Sequence, residues 1–362
     1  MHRFSAFSIR LLTLSLSVGV VGLTPEESAA TGASSTSASS STVRSSAGAA
    51  SARHVSKRRP KRYSARKARA RRTTLARARA AARAREAARI RAWREAMTPR
   101  FRKDDSGALI PDVRAAAAII MNPETGQVLF ETNSQDKRSI ASITKVMTAL
   151  VFVEDDPDLS QEIVVERPDV YAASTTYLRA NERVRLEDVL HLTLIASDNA
   201  AARVLARVSH GGTASFVQRM NDKALELGLQ NTSFADPSGL DVDNVSSAYD
   251  LSRLIAYAAG DERLAGVMRK PEYRLTTSRR TITIHSTNRL LGNVDLDVRG
   301  GKTGFINKAG YCLATLLRLP QGEQVSVVVL GARSNALRFA ETKHLFDWLS
   351  EKAQSILGAD KQ

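Results

Sequence analysis

The chain has 362 residues with 53 Lys and Arg, 37 Asp and Glu, six histidines and one cysteine. A lone cysteine, Cys312, excludes an intrachain disulfide, and no two of the histidines have ligand spacing on a helix, so neither a disulfide scaffold nor a His-based metal enzyme fits. The net charge of +16 belongs to one end: residues 1–103 hold 24 basic and 4 acidic groups, whereas the remainder holds 29 and 33 and is long enough to bury a full core.

The first 30 residues have the pattern of an export signal. His2, Arg3 and Arg10 precede an apolar run from Leu11 to Leu23, and Ser28-Ala29-Ala30 supplies small residues for cleavage. The run is shorter than the ~20 residues that span a bilayer, which disfavours a membrane anchor. Residues 31–52 are rich in Ser, Ala, Thr and Gly, cannot bury enough surface to offset ordering entropy, and are expected to be disordered. From Lys57 to Arg94 the chain is Arg/Ala/Lys-rich, with high helix propensity but no continuous apolar stripe, so an isolated solvated helix is expected. Its charge fits a spacer or, over residues 57–103, a tether to an anionic envelope surface. Nucleic acid would match the charge equally well, but export argues against it.

The catalytic region is expected from about Ser106, giving a division into residues 1–30, 31–103 and 104–355. Two strands, Ala115–Met121 and Gln127–Thr132, flank a Pro- and Gly-containing hairpin loop. Helical patterns follow at Ser142 to about Val153, Leu186–Ala196, Ala200–Val208, Phe216–Leu227 and Ala248–Ala259. The period then changes to strands at Thr281–Ile284, Val298–Phe305, Tyr311–Leu319 and Gln324–Gly331, and Ala336–Leu349 closes as an amphipathic helix. Cys312 lies in one of these strands and reads as a buried small hydrophobe. The order predicts an α+β fold: an antiparallel sheet covered by helices, with a helical insert.

Three short motifs carry the chemistry. In Ser142-Ile143-Thr144-Lys145 the i, i+3 spacing lets a lysine amine meet a serine hydroxyl, and serine is a poor nucleophile until a base takes its proton. The lysine can act as that base only where its ammonium is destabilised by burial or by another cation, for which Lys302 is the natural candidate. The same spacing recurs at Ser64/Lys67 and Ser134/Lys137, but only Ser142 opens an apolar-periodic helix. Ser197-Asp198-Asn199 joins two helices, where such residues commonly just cap. Functionally, Ser197 would pass the proton to a leaving amine, and Asn199 would bond Lys145 and the substrate amide. Ser286-Thr287-Asn288 resembles this motif but sits in a strand-to-loop stretch and is the poorer shuttle. Gly300-Gly301-Lys302-Thr303-Gly304 is strand-like, and its glycines suit close approach of a ligand backbone laid along the edge. Lys302 and Thr303 would hold a carboxylate, and the N–H groups of Phe305 and Ser142 would face an oxyanion. The plainer alternative is a bulged edge strand with an exposed lysine.

Together the ordered motifs resemble those of the penicillin-recognising serine enzymes. Ser139–Ala149, Asp236-Pro237-Ser238-Gly239-Leu240 and Lys302–Gly310 are similar to the low-molecular-mass D-alanyl-D-alanine carboxypeptidases and endopeptidases, nearest the penicillin-binding protein 7 type. The resemblance spans about residues 108–350. It implies a β-lactamase/transpeptidase-like fold, with a five-stranded antiparallel sheet covered by helices and an all-helical subdomain. It also implies Ser142 as acylated nucleophile, Lys145 as base, Ser197 and Asn199 as shuttle and anchor, and Lys302, Thr303, Gly304 and Phe305 as substrate-binding residues. No metal or cofactor is called for. The implied substrates are peptidoglycan peptides in the periplasm or cell envelope, with β-lactams as covalent inhibitors. A β-lactamase is the alternative enzyme, but no Glu-x-x-Leu-Asn string lies between Ser197 and Lys302 to activate a deacylating water. A non-catalytic wall-binding protein is the other alternative, and no Gly-x-Ser-x-Gly elbow supports an α/β-hydrolase.

Overall fold

The computed structural model describes residues 63–359; the export signal, the Ser/Ala-rich stretch and the start of the basic segment lie outside the described residues. Two compact units divide after Arg69. Of the first, the described residues are the opening turns of α1 (Tyr63–Met97); everything below concerns the second. Alanine and arginine favour helix, and a helix this long exceeds the length at which isolated helices become marginal. Its described side chains are exposed almost throughout, Leu75, Ile90 and Trp93 included.

Beyond it follow a small ribbon, β1 (Phe101–Lys103) and β2 (Leu109–Pro111), then the hairpin β3 (Ala117–Met121) and β4 (Val128–Thr132), and the short β5 (Arg138–Ser139). The helical insert contains α2 (Thr144–Glu154), β6 (Glu162–Val164), α3 (Arg167–Val170), β7 (Arg183–Arg185), α4 (Leu186–Leu194), α5 (Asn199–Val208), α6 (Gly212–Glu226), β8 (Val245–Ser246), α7 (Ala248–Gly260) and α8 (Glu262–Met268). The chain then makes a ribbon, β9 (Glu272–Thr276) and β10 (Thr281–His285), the meander β11 (Asp297–Ile306), β12 (Gly310–Arg318) and β13 (Gln324–Ala332), and ends in α9 (Asn335–Ala359).

The main sheet has the order β11-β12-β13-β3-β4 and is antiparallel throughout. Successive residues of its strands enter two different cores. Ala117, Ile119, Cys312, Ala314, Val328 and Leu330 face the helical insert. Ala118, Ile120, Leu313, Val325, Val327 and Val329 face α9. Burial on both faces explains why these strands read as continuous apolar runs rather than alternating ones. The α+β architecture is therefore the one expected from the sequence, with Cys312 as buried filling.

Several local expectations need correcting. Ser142 is not the first residue of an α-helix but lies in a 3-10 turn, Ala141–Ile143, and α2 starts at Thr144. The helix expected over Leu186–Ala196 stops at Leu194. The ribbons β1/β2, β6/β7 and β9/β10 are too short or too polar to carry a clear period, and most of their strands escaped the sequence reading. Packing also reaches to the N-terminal side of Ser106: Ala96 and Met97 lie against the α9-side core, and the Arg114 guanidinium donates to the carbonyls of Glu95, Ala96 and Thr98.

Candidate active site

The three motifs converge on one cleft of about 500 Å³, lined among others by Ser142, Ser197, Asn199, Thr303, Gly304 and Phe305. Each arrives on a different element: Ser142 on the turn before α2, Ser197 between α4 and α5 with Asn199 opening α5, and Lys302–Phe305 on β11, an edge strand of the sheet. A slightly larger cavity, about 560 Å³ with Arg253, Tyr257, Arg269 and Arg299 in its walls, contains none of the motif residues.

The turns that carry Ser142 and Ser197 are held under strain. Ala141 has φ +50° and Ser197 has φ +59°, left-handed values that non-glycine residues adopt only when their surroundings impose them. Ala172 and Ser174, on the loop that supplies Ser174 and Thr175 to the cleft, have φ +50° and +63°. That loop is tied to the Ser197 motif. The Asp198 carboxylate accepts from Ala201 N, capping α5, and from Thr176 Oγ1 and Tyr177 N. Asn199 donates through Nδ2 to Ala173 O at 2.7 Å and through its backbone N to Thr175 O at 3.2 Å. Capping and site-building are thus the same set of bonds.

Lys145 is fully buried. Its Nζ lies 2.9 Å from Ser142 Oγ, 2.7 Å from Asn199 Oδ1 and 2.5 Å from Ser238 O. Burial pushes the amine down to about 7, opposed by the charges of Asp198 and Asp236 and assisted by Arg203. Of the two causes expected from the sequence, desolvation is the larger; the cations that assist it are Arg203 and Lys302, whose repulsion with Lys145 is mutual.

Lys302 is also buried, and it donates to Ser197 Oγ at 2.7 Å and to Thr303 O at 2.9 Å. Desolvation first, then the neighbouring Lys145 and Arg338, hold it well below the usual lysine range. Thr303 Oγ1 donates to Thr287 Oγ1 at 2.7 Å. The glycines of this strand are explained by protein rather than by ligand, against the sequence reading. A Cβ on Gly304 would lie 2.5 Å from Ile140 O, one on Gly301 would lie 2.8 Å from Asn288 Nδ2, and one on Gly300 would touch Ala259 and Met268. At Gly304 the strand is thin so that the turn carrying Ser142 can pack against it. Phe305 is half exposed and stacks on Tyr311, with ring centroids 4.2 Å apart.

Three contributors were missed by sequence reasoning. Arg338 of α9 reaches the cleft, donates from Nη1 to Gly304 O and Cys312 O, and keeps its buried Nε without a partner. Thr287, from the segment set aside as a decoy, lines the cleft and bonds Thr303. Ser238, whose carbonyl bonds Lys145, belongs to a segment noted only for its resemblance. The other Ser-x-x-Lys pair in the packed body is no site: Ser134 is buried and bonds Glu131, while Lys137 is exposed. Among the described residues no cluster of three or more His, Cys, Asp and Glu is placed to hold a metal, and no helix is long and apolar enough to cross a membrane.

Comparison with known proteins agrees with this geometry. Residues 104–334 match the family model described as D-alanyl-D-alanine carboxypeptidase. The D-alanyl-D-alanine endopeptidase of Pseudomonas aeruginosa is 34% identical over 245 residues, and that of Escherichia coli K12 is 32% identical over 243; each alignment covers 66% of this chain and 78% of the relative. The crystal structure of the Streptomyces K15 DD-transpeptidase superposes with a TM-score of 0.62 at 27% identity, covering 66% of this chain and 97% of that one. The chain therefore belongs to the D-alanyl-D-alanine carboxypeptidase family and is a serine peptidase of the penicillin-binding type, acting on peptidoglycan.

Proposed function

We propose that Ser142 attacks the carbonyl of a D-Ala residue in a peptidoglycan stem peptide or cross-link and becomes the acylated nucleophile, with Lys145 as its base. One observation supports this most directly. Of the three partners of Lys145 Nζ, Asn199 Oδ1 and Ser238 O can only accept hydrogen bonds; Ser142 alone can donate. A neutral amine has two hydrogens and one lone pair, so satisfying both acceptors turns the lone pair toward the Ser142 hydroxyl. A pKa brought to about 7 makes that neutral form available near physiological pH.

In the acylation step the Ser142 O–H proton passes to Lys145 and a bond forms between Oγ and the carbonyl carbon. The N–H groups of Ser142 and Phe305 are the proposed donors to the resulting oxyanion. The C–N bond then breaks, and the leaving amine takes a proton relayed from Lys145 through Ser197. Water next attacks the ester, its proton returning to Ser142 Oγ as the acyl C–O bond breaks. Asn199 holds Lys145 and is the proposed partner of the substrate amide.

Lys302, Thr303 and Arg338 form the proposed carboxylate clamp. Their cationic groups are buried, and an incoming carboxylate favours the charged form of Lys302 that burial disfavours. The leaving group of a terminal D-Ala and that of a cross-linking diamino acid both carry a carboxylate beside the amine, so the clamp serves carboxypeptidase and endopeptidase reactions alike. β-Lactams are proposed to acylate Ser142 and leave slowly. Residues 104–355 are proposed to hold the catalytic part of the peptidase domain, with Ala96, Met97 and β1 packed onto it, delivered to the periplasm by the export signal in residues 1–30. Residues 57–103 are proposed to tether it to an anionic envelope surface, which the excess of Arg on an exposed helix supports.

Digestion of purified cross-linked muropeptides by the wild type and by Ser142→Ala tests the reading. Products shortened by one D-Ala, or monomers from dimers, are expected from the wild type only. Equal cleavage by both proteins contradicts it.

A further inference from the structure

The segment Asp236-Pro237-Ser238-Gly239-Leu240-Asp241 has no part in the three motifs, yet it forms the floor beneath two of the reacting groups. Ser238 O accepts from Lys145 Nζ, and Pro237 O accepts from Thr148 Oγ1 at 2.6 Å, so the turn is pinned to two successive turns of α2. Gly239, with φ +79°, lies under the peptide that joins Ala141 to Ser142: a Cβ there would fall 2.1 Å from Ala141 O and 2.9 Å from Ser142 N. No side chain fits, and the left-handed backbone suits glycine.

One carboxylate holds this turn in shape. Asp236 Oδ1 accepts from Ser238 N at 2.5 Å, Ser238 Oγ at 3.0 Å and Gly239 N at 2.6 Å, and Oδ2 accepts from Asp241 N at 2.6 Å. Four donors converge on a group that is not part of the cleft wall. We propose that Asp236 is a positioning residue for acylation: through these bonds it fixes the Ser238 carbonyl on Lys145 and the Gly239 backbone against the Ser142 turn. This rests on the assignment of Lys145 as base to Ser142.

The carboxylate also acts at a distance. The charged groups that face Lys145 are Asp198 at the start of α5, Arg203 further along α5, Lys302 on β11 and Asp236 itself. Asp236 keeps the amine more basic than burial alone would leave it, second to Asp198. Removing its charge while keeping an acceptor therefore lowers the pH at which Lys145 loses its proton. A residue that only braces the fold leaves that pH unchanged.

The test is the pH dependence of Ser142 acylation by a β-lactam in the full chain, followed by mass spectrometry of the Ser142 peptide. Asp236→Asn retains an oxygen for Ser238 N and Gly239 N. It should keep its plateau rate within about threefold, while its acidic limb moves down by about 0.5 pH unit, the scale of one partly screened charge. Asp236→Ala loses the turn and should lose about 100-fold in plateau rate, as misplacement of about 1 Å does. A limb in Asp236→Asn that coincides with the wild-type limb overturns the proposal, as does an undiminished plateau in Asp236→Ala. Should the alanine variant fail to fold, the asparagine limb decides. Absence of an adduct on Ser142 in the wild type is a different result: it removes the nucleophile assignment itself.

Discussion

The helix α1 and the cleft use the same kind of side chain in opposite surroundings. Along α1 the Lys and Arg residues stand in water, with two acidic residues, Glu86 and Glu95, in the whole helix. Such charges act collectively, over a distance set by ionic strength, and single ones contribute little. In the cleft, two lysines are sealed from solvent and every hydrogen-bond partner is fixed. There burial brings the Lys145 amine down to about 7, and on the proposed mechanism that single amine is the reagent. The difference teaches how one residue type can serve two proposed roles: collective attraction where it is hydrated and proton transfer where it is not.

The sharpest way to break that contrast is to remove the reagent. Ser142→Ala should lower muropeptide turnover by about 10⁴-fold or more, because nucleophile and base act as one unit. Lys145→Ala should cost about 10²–10⁴-fold in acylation rate, measured by stopped-flow with a reporter β-lactam. If either variant stays near wild type, the buried pair is not the catalytic unit.

Next in size is the clamp. Lys302→Ala leaves Ser197 without its buried cation and removes a charge-assisted contact to a carboxylate. About 2 kcal/mol is expected, read as a roughly 30-fold loss in kcat/KM for D-Ala-D-Ala peptides. A peptide amidated at its C-terminus should lose much of the difference between wild type and variant. An equal effect on acid and amide substrates would place Lys302 outside carboxylate recognition.

Packing of the nucleophile turn comes third. Gly304→Ala puts a Cβ 2.5 Å from Ile140 O and should lower stability by about 1–3 kcal/mol, visible as a lower Tm together with slower acylation. The smallest effect sharpens the other side of the comparison. Deleting residues 57–92, which spares the packed residues from Glu95 onward, should leave kcat for soluble muropeptides unchanged within about twofold, while binding to anionic envelope fractions weakens and loses its salt dependence. Salt-independent binding by the full chain would contradict a hydrated, collective role for α1.

Legibility from sequence follows the same divide between local and long-range causes. The three motifs could be read because each packs its chemistry into three or four neighbouring residues, and the sheet could be read because its strands are apolar on both faces. Arg338 could not: on an amphipathic helix an arginine looks like a solvent-facing residue, and only the docking of α9 on β12 and β13 turns it inward, toward the carbonyls of Gly304 and Cys312. Thr287 was invisible for a related reason, since its partner Thr303 is 16 residues away on another element. The glycines of β11 were assigned to a ligand because sequence does not show that Ile140 O and Asn288 occupy that space first. The left-handed residues Ala141 and Ser197 carry no signal at all, as their conformation is imposed by the contacts around them.

The most direct test is an NMR titration of the Lys145 side-chain amine in the full-length protein, with Lys145→Arg used to assign its resonance. A midpoint near pH 7 is predicted from its desolvation. A midpoint at the ordinary lysine value, above pH 10, would contradict the account, because Lys145 would then be a cation at every pH where the cleft is proposed to work.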